Sequence, residues 1–425
     1  MAAAIGTAIA REIPAVSAPP LRVSFSWTLA GNLVYALCQF GMLSALAKLG
    51  NASMVGQYAL ALAIAAPVFM LTNLQLRAVQ ATDARHEYGF ADYFTLRAVS
   101  TLLGTLVIVG IAAVVHYDRA IKALIVLVAC AKAVETIGDV IAGHLQKFER
   151  LDKVARALML RGIASLVVFA STFWYMRNLP VAVAAQTIAW MGTVVLYDFR
   201  IVTQLLGAHP KFFHFCLKTL KSIILISWPL GLVMTLVSLN INLPRYILER
   251  KLGTAELGIF ASLAYLLTAI GLIVVALGQS VCTRMSKQFA EGDVRGFRLL
   301  LTKLLWFATA LGVTGLGLTL LAGRPVLTIV YKPQYAEHVD LLLVMVVTAS
   351  VNAIASFLGF AMTAARCFRA QLPVMGATLA TTFALTLALV PRYGLMGASY
   401  ALLFAAAVQA AASYLVLNAA MTRLA

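Results

Sequence analysis

Apolar residues along this chain gather into twelve long runs that are separated by short polar segments. A run of about 20 apolar residues is long enough to cross a bilayer as an α-helix. The pattern therefore predicts twelve transmembrane helices, and the short connections between them leave no room for an inserted soluble domain. The predicted spans are residues 25–47, 56–81, 98–116, 120–143, 158–176, 180–205, 222–243, 255–280, 300–322, 338–363, 372–390 and 395–418.

The composition also indicates an all-α polytopic membrane protein. Of the 425 residues, 62% are hydrophobic and only 12% are charged, whereas roughly a quarter of the residues in a soluble domain are charged. The net charge of +17 comes from Lys and Arg between the apolar runs, which indicates orientation signals and not a nucleic-acid partner. The five cysteines show no spacing typical of a metal site or a disulfide framework, so neither is predicted.

Basic residues alternate in density from one connection to the next, and one side of the membrane receives roughly twice as many as the other. This bias predicts that both termini are cytoplasmic. Residues 1–22 have no basic segment ahead of their short apolar run, so we expect a cytoplasmic tail there and not a cleaved signal peptide.

A short segment that follows the first span recurs after the seventh span. "KLGNASMVGQYALALA" (48–63) is matched by "KLGTAELGIFASLA" (251–264), and "YGFADYFTLR" (88–97) aligns at the same offset with "EGDVRGFRLL" (291–300). Six spans separate the copies, so both have the same orientation. The repeat predicts two parallel six-helix lobes, at residues 23–206 and 207–425, which is typical of an alternating-access carrier.

These segments also carry a resemblance to a known family. "LGNASMVGQYALALAIAAPVFMLTNLQLRAVQATDA" (49–84), "ERKLGTAELGIFASLAYL" (249–266) and "PRYGLMGASYALLFAAAV" (391–408) resemble the Wzx-type oligosaccharide flippases. That family belongs to the multidrug/oligosaccharidyl-lipid/polysaccharide exporter superfamily. The resemblance extends over nearly the whole chain in span number, loop length and motif order.

The resemblance implies a V-shaped carrier in the bacterial inner membrane, with a hydrophilic, cationic cavity between its lobes. Its implied substrate is an undecaprenyl-pyrophosphate-linked oligosaccharide, moved from the cytoplasmic to the periplasmic leaflet for surface polysaccharide, O-antigen or exopolysaccharide synthesis. The implied partners are a glycan polymerase and assembly proteins. The resemblance implies no catalytic residues and no cofactor beyond a coupling cation, H⁺ or Na⁺.

Ionisable side chains inside a span are costly, about 2.5–3.5 kcal/mol each on insertion scales, and they mark functional sites. The fourth span carries Lys132, Glu135 and Asp139 on one helical face. One interpretation is an ion-coupling pair, Glu135 and Asp139, beside a substrate-facing Lys132, because Asp139 has no obvious partner. The alternative is a Lys132–Glu135 pair that helps the lobe to pack.

Three further candidates form a stripe in the second span, Asn73, Arg77 and Gln80. An arginine fork can bind a pyrophosphate bidentately, and the alternative is an arginine that extends to the membrane surface. Arg161 and Arg284 are also candidates for the substrate cavity, although an anchoring role under the positive-inside rule is favoured for both. Arg245 and Glu249 are interpreted as a surface pair.

Two other functions remain open at this point. An ion-coupled small-molecule (drug) antiporter of the same superfamily would be expected to have a more acidic cavity. A membrane-embedded glycan polymerase or glycosyltransferase would need a sizeable non-cytoplasmic loop with catalytic residues. The sequence lacks a GxxxxGK[ST] motif, so direct use of ATP is not expected.

Overall fold

A computed structural model describes residues 21–83, 87–207 and 211–422, and all regular secondary structure in these ranges is helical. Most of the predicted tail, 1–22, lies outside the described residues. In chain order the helices are α1 Leu21–Leu49, α2 Ala52–Asn73, α3 Leu76–Thr82, α4 Phe90–Val114, α5 Arg119–Lys147, α6 Leu151–Met176, α7 Leu179–Thr193, α8 Arg200–Leu206, α9 Leu217–Leu252, α10 Thr254–Leu266, α11 Thr268–Ala290, α12 Val294–Val330, α13 Pro333–Ala336, α14 Val339–Ala364 and α15 Phe368–Thr422.

Each of the twelve predicted spans has a helical counterpart, and several helices extend beyond the predicted ends. By length and composition, ten helical stretches of the described residues can cross a membrane. The charged helix α5 is not among those ten, and the long bent helix α15, which contains the last two predicted spans, counts as one. The seventh predicted span ends at residue 243, whereas α9 remains helical to Leu252.

Regular α-helical structure is interrupted at several points. Leu74 and Gln75 are left-handed, with φ of 51° and 50°, and they separate α2 from α3. A π-helical turn, Val194–Phe199, joins α7 to α8, and α15 bends at Gly394, where φ is 57°. Interruptions of this kind are tolerated at membrane depth where the surrounding helices satisfy the backbone groups that are freed.

The distribution of large side chains matches a chain that is surrounded by lipid. On α4, the first turns bury Tyr93 and Phe94, whereas Leu102, Leu103 and Leu106 further along are exposed. An aqueous surface does not favour such rows of exposed leucines, but hydrocarbon does. The protein is a multi-pass membrane protein.

The chain folds as two compact units. The first unit contains the described residues up to Ala45 together with Ile64–Thr235, and the second contains Leu46–Ala63 and Leu236–Ala425. An aromatic core in the first unit includes Tyr93 and Phe94, and a core in the second includes Phe297 and Phe357. The lobe boundary at 206/207 concerns the sequence repeat and stays a prediction.

The two copies of the repeated turn lie in the second unit and touch each other there. A Cβ atom at Gly56 would overlap the carbonyl oxygen of Thr254, and a Cβ atom at Gly258 would overlap the carbonyl oxygen of Ala52. The side chains of Ser53 and Thr254 share a hydrogen bond of 2.7 Å between their hydroxyl oxygens. The contact is reciprocal, and only glycine permits so close an approach of two helix backbones.

Candidate functional site

Seven of the eight predicted site residues lie in the first unit, and the eighth, Arg284, is an exposed residue of α11 in the second unit. The seven come from four helices, α2, α3, α5 and α6. Five of the seven are in ion pairs, which are a half-exposed pair, a buried pair with Asp198 and a pair within one helix.

The break at Leu74 and Gln75 decides where the second-span candidates point. The prediction that Asn73, Arg77 and Gln80 form one continuous helical stripe is wrong, because Asn73 ends α2 and Arg77 lies in the separate helix α3. Gln80 is buried against Gly143 of α5. Only Arg77 of the three presents a charged group toward the fourth predicted span.

Arg77 and Asp139 form the half-exposed ion pair. The distance from Arg77 Nη1 to Asp139 Oδ1 is 3.7 Å, and the two side chains are 35% and 29% exposed. Arg77 Nε also donates a hydrogen bond of 3.2 Å to Gln146 Oε1. The expectation that Asp139 has no partner is therefore wrong, although the pair is long and accessible enough to exchange partners.

Arg161 and Asp198 form the buried ion pair. Arg161 Nη2 donates to Asp198 Oδ2 at 2.8 Å, and the side chains are only 6% and 5% exposed. Gly138 makes room for the guanidinium, because a Cβ there would overlap Arg161 Nη2. The favoured role of Arg161 as a surface anchor is thus wrong, since its charge is neutralised inside the helix bundle.

Asp198 lies on the π-helical turn that interrupts the sixth predicted span. Such turns widen the helix by one residue and are frequent at functional sites. We predicted no role for Asp198 from the sequence. The rule that selected Asp139, an acid inside an apolar run, applies equally to it.

Arg97 is the second residue that sequence reasoning missed. It is fully buried at the start of α4, although it lies at the polar edge of its predicted span. Its Nη1 donates to the carbonyl oxygen of Asn73 at 3.1 Å, and it interacts electrostatically with Asp139. The carbonyl that it binds is freed by the break after Asn73, which no sequence pattern indicated.

Lys132 and Glu135 form the pair within α5. Lys132 Nζ donates to Glu135 Oε2 at 2.7 Å across one helical turn. This arrangement favours the alternative interpretation, in which the pair supports packing. It agrees less well with the interpretation in which Lys132 directs its charge at a substrate. Among the described residues, no cluster of three or more His, Cys, Asp or Glu could hold a metal ion.

The two arginine–aspartate pairs surround a small cavity. Its volume is about 10 Å³, roughly the space of one water molecule, and Arg77, Asp139, Arg161 and Asp198 line it together with Gly138. The cavity offers two guanidinium groups and two carboxylates at close range. Such a set can exchange a carboxylate for another oxyanion at an arginine, or take up a cation at a carboxylate.

Two ion pairs outside the spans fix the same end of the first unit. Lys147 Nζ lies 3.0 Å from Asp83 Oδ2; although burial opposes the shift, this hydrogen bond holds the pKa of Asp83 below its ordinary value. His214 Nδ1 lies 2.5 Å from Asp92 Oδ1, and the hydrogen bond to that carboxylate raises the pKa of His214. His214 N also donates to Thr95 Oγ1 at 2.8 Å, so the segment before α9 is attached to α4.

Comparison with known proteins reveals relatives over most of the chain. Capsular polysaccharide biosynthesis protein CapF of Staphylococcus aureus is 26% identical over 376 residues, which is 88% of this chain and 94% of the relative. The fold is similar to that of the lipid II flippase MurJ in an inward closed conformation, with a TM-score of 0.74 and 11% identity over 94% of this chain and 90% of the other.

A second solved structure with a similar fold is a mutant of the MATE transporter VcmN of Vibrio cholerae. Its TM-score is 0.65 at 13% identity, over 95% of this chain and 96% of the other. At such low identity the likeness to both structures concerns the fold alone. A family model described as polysaccharide biosynthesis protein matches residues 21–288, well over half of the sequence. This chain belongs to the polysaccharide biosynthesis protein family.

Proposed function

We propose that the protein is a transporter that flips an undecaprenyl-pyrophosphate-linked oligosaccharide from the cytoplasmic to the periplasmic leaflet of the bacterial inner membrane. The proposal is supported by the family of the chain taken together with its fold. A chain of the polysaccharide biosynthesis family has the fold of a lipid II flippase over more than nine tenths of its length. The capsular name of the relative CapF favours a surface polysaccharide as the end product.

Arg77 is the residue that we assign to the pyrophosphate. Its guanidinium is about one third exposed, and its ion pair with Asp139 is longer than a hydrogen bond. A phosphate oxyanion can therefore replace the carboxylate without first breaking a short, buried contact. Arg161 cannot exchange in this way, because its short pair with Asp198 is buried, and we assign it to the framework of the site.

Asp139 is the carboxylate that we assign to coupling. When a cation, H⁺ or Na⁺, neutralises Asp139, its attraction for Arg77 ends, and the guanidinium becomes available to the substrate. Glu135 is the second coupling candidate, although it is already engaged with Lys132. In this scheme the cation binds Asp139 and the substrate anion binds Arg77. Because the two residues form one ion pair, binding of either ligand favours binding of the other.

The test is deletion of the gene followed by measurement of surface glycan and of lipid-linked intermediates. The expected result is loss of the glycan and accumulation of full-length lipid-linked repeat units on the cytoplasmic leaflet. A polymerase defect would instead leave single repeat units exposed on the periplasmic side. Normal glycan with increased sensitivity to dyes or drugs would overturn the proposal in favour of the antiporter.

Complementation then examines the site. Arg77→Ala and Asp139→Asn should each reduce surface glycan at a normal level of the protein. Arg324→Ala serves as the matched control, because it removes an exposed arginine of the second unit that is not among the predicted site residues. Full complementation by both site variants would exclude this cluster as the substrate site.

A further inference from the structure

The second unit contains a pocket that none of the predicted site residues lines. Its volume is about 170 Å³, and its walls come from α9, α10, α14 and the second half of α15. Asn352 lies thirteen residues into α14, a distance of about 20 Å along the helix at 1.5 Å per residue. Because the hydrocarbon core of a bilayer is about 30 Å thick, this places the pocket well inside the span.

Most of the pocket wall is apolar, with Phe260, Leu267 and Leu402 among its members. The polar groups are one guanidinium, two carboxamides and two hydroxyls. They belong to Arg245, Asn240, Asn352, Thr348 and Ser399. No Asp or Glu lines the pocket, so its only formal charge is positive.

Arg245 has no carboxylate to balance that charge. Its Nη1 donates to Asn242 Oδ1 at 3.1 Å, and its buried Nε has no hydrogen-bond partner. Among the described residues Arg245 makes no ion pair. The interpretation of Arg245 and Glu249 as a surface pair is therefore wrong. A guanidinium inside a membrane without a counter-charge is costly, and a bound anion would remove that cost.

Ser399 supplies an independent observation at the same pocket. Its side chain is 1% exposed, and its Oγ has no hydrogen-bond partner although it lines the pocket. Buried hydroxyls are almost always hydrogen-bonded, so this group is suited to a ligand. Asn240 is held in place by Thr382, whose hydroxyl donates to Asn240 Oδ1 at 2.5 Å, which leaves the amide N–H groups of Asn240 as donors.

We propose that this pocket binds an oxyanion, a phosphate or a carboxylate, through Arg245, with Ser399 and the carboxamides of Asn240 and Asn352 as further hydrogen-bond partners. The apolar wall accommodates the uncharged part of the same ligand. The source of the oxyanion rests on the proposed function: it is the transported glycolipid, through either its pyrophosphate or an acidic sugar. The pocket differs in position and composition from the cluster around Arg77.

The experiment measures binding to the purified full-length protein in detergent, by the shift in thermal unfolding temperature. The two ligands tested are inorganic pyrophosphate and glucuronate. We expect a saturable upward shift with one of them, and which one identifies the source of the oxyanion. No shift with either would overturn the proposal.

Variants assign the binding to the pocket. Arg245→Gln should weaken the apparent affinity at least about tenfold, as expected for loss of a charge-assisted hydrogen bond. Ser399→Ala keeps the charge and should weaken it less, which provides a second test if Arg245→Gln does not fold. Arg324→Gln removes an exposed arginine from the same unit and should bind as the wild type does. Equal affinity in all three variants would overturn the assignment.

The outcome is separable from that of the proposed function. If gene deletion leaves surface glycan normal while the purified protein binds an oxyanion through Arg245, the flippase proposal fails and the pocket remains. If lipid-linked repeat units accumulate in the deletion strain and neither anion binds, only the pocket proposal fails.

Discussion

The arginines that line a cavity are balanced in opposite ways in the two units. In the first unit Arg77 and Arg161 each face an aspartate, whereas in the second unit Arg245 shares its pocket with amides and hydroxyls but with no carboxylate. A paired arginine is neutral to its surroundings, and an unpaired arginine attracts an anion. The first unit thus contains a site whose charges balance one another, and the second unit contains a site whose positive charge a ligand would balance.

The same contrast exists at smaller scale within the first unit. Arg161–Asp198 is short and buried, while Arg77–Asp139 is long and partly exposed. Burial makes the first pair structural and difficult to separate, and exposure makes the second pair available to ions and substrate. The difference predicts that stability will depend mainly on one pair and transport mainly on the other.

Separation of the buried pair has the largest expected effect. Arg161→Met or Asp198→Leu alone leaves one buried charge without its partner, which costs about 3–5 kcal/mol in measured cases. We expect a marked fall in the thermal unfolding temperature of the purified protein, together with a lower yield from membranes.

The double variant Arg161→Met/Asp198→Leu is the control for this prediction. It removes both charges and should recover most of the lost stability, since buried pairs are often replaceable by apolar residues. A double variant as unstable as the sum of the singles would show that the two side chains do not act as a pair.

The glycine contact comes next in expected size and concerns the two copies of the repeat. Gly56→Ala and Gly258→Ala each place a methyl group against a backbone carbonyl, and overpacking of this kind typically costs about 1–3 kcal/mol. Because the contact is reciprocal, we expect similar falls in unfolding temperature for both variants, and a double variant with less than the summed effect.

Gly271→Ala is the matched control, since a Cβ at this helical glycine would meet no atom within 4 Å. It should be neutral or slightly stabilising. If Gly56→Ala and Gly258→Ala behave in the same way as Gly271→Ala, the two turns are not in close contact.

The exposed pair should affect transport more than stability. Arg77→Lys keeps the charge but loses the planar fork that binds phosphate bidentately, and Asp139→Asn removes the proposed coupling charge. We expect each to lower the rate of glycan export by about tenfold, corresponding to about 1.4 kcal/mol, with the unfolding temperature nearly unchanged. A large loss of stability in either variant would make this pair structural, like Arg161–Asp198.

Sequence reasoning identified the fold because apolar runs of bilayer length are a strong signal. It also selected both members of the Arg77–Asp139 pair and one member, Arg161, of the buried pair, since charge inside an apolar run needs only local information. The pairings themselves depend on breaks in the helices. The left-handed residues Leu74 and Gln75 redirect Arg77 toward Asp139, and neither is a glycine, so no residue type marked the turn.

Arg245 was misassigned for a related reason. Its spacing from Glu249 on one helix face predicted a pair, and spacing alone does not say which neighbouring helices surround the side chain. Arg245 donates to Asn242, three residues earlier on the same helix, and α10, α14 and α15 contribute the other walls of the pocket that Arg245 lines. Contacts among helices that are distant in sequence decided the role of this residue, and one sequence contains no direct record of them.

The smallest expected effect belongs to His214, whose carboxylate contact lies at the surface. Asp92 raises the pKa of His214, so the contact stabilises the folded protein fully below the ordinary histidine pKa of about 6.5. That contribution is lost as the pH rises through the raised pKa of the folded state. The unfolding temperature of the wild type should therefore exceed that of His214→Gln by more at about pH 5.5 than at about pH 9.

His116→Gln, at the opposite end of α4, controls for the loss of a histidine as such. A pH-independent difference between the wild type and His214→Gln would show that the imidazole contributes through its hydrogen bond with Asp92 and not through its charge. Because the side chain of His214 is exposed, water and salt screen this pair more than Arg77–Asp139. Added salt should therefore weaken the His214–Asp92 contact most and the buried Arg161–Asp198 pair least.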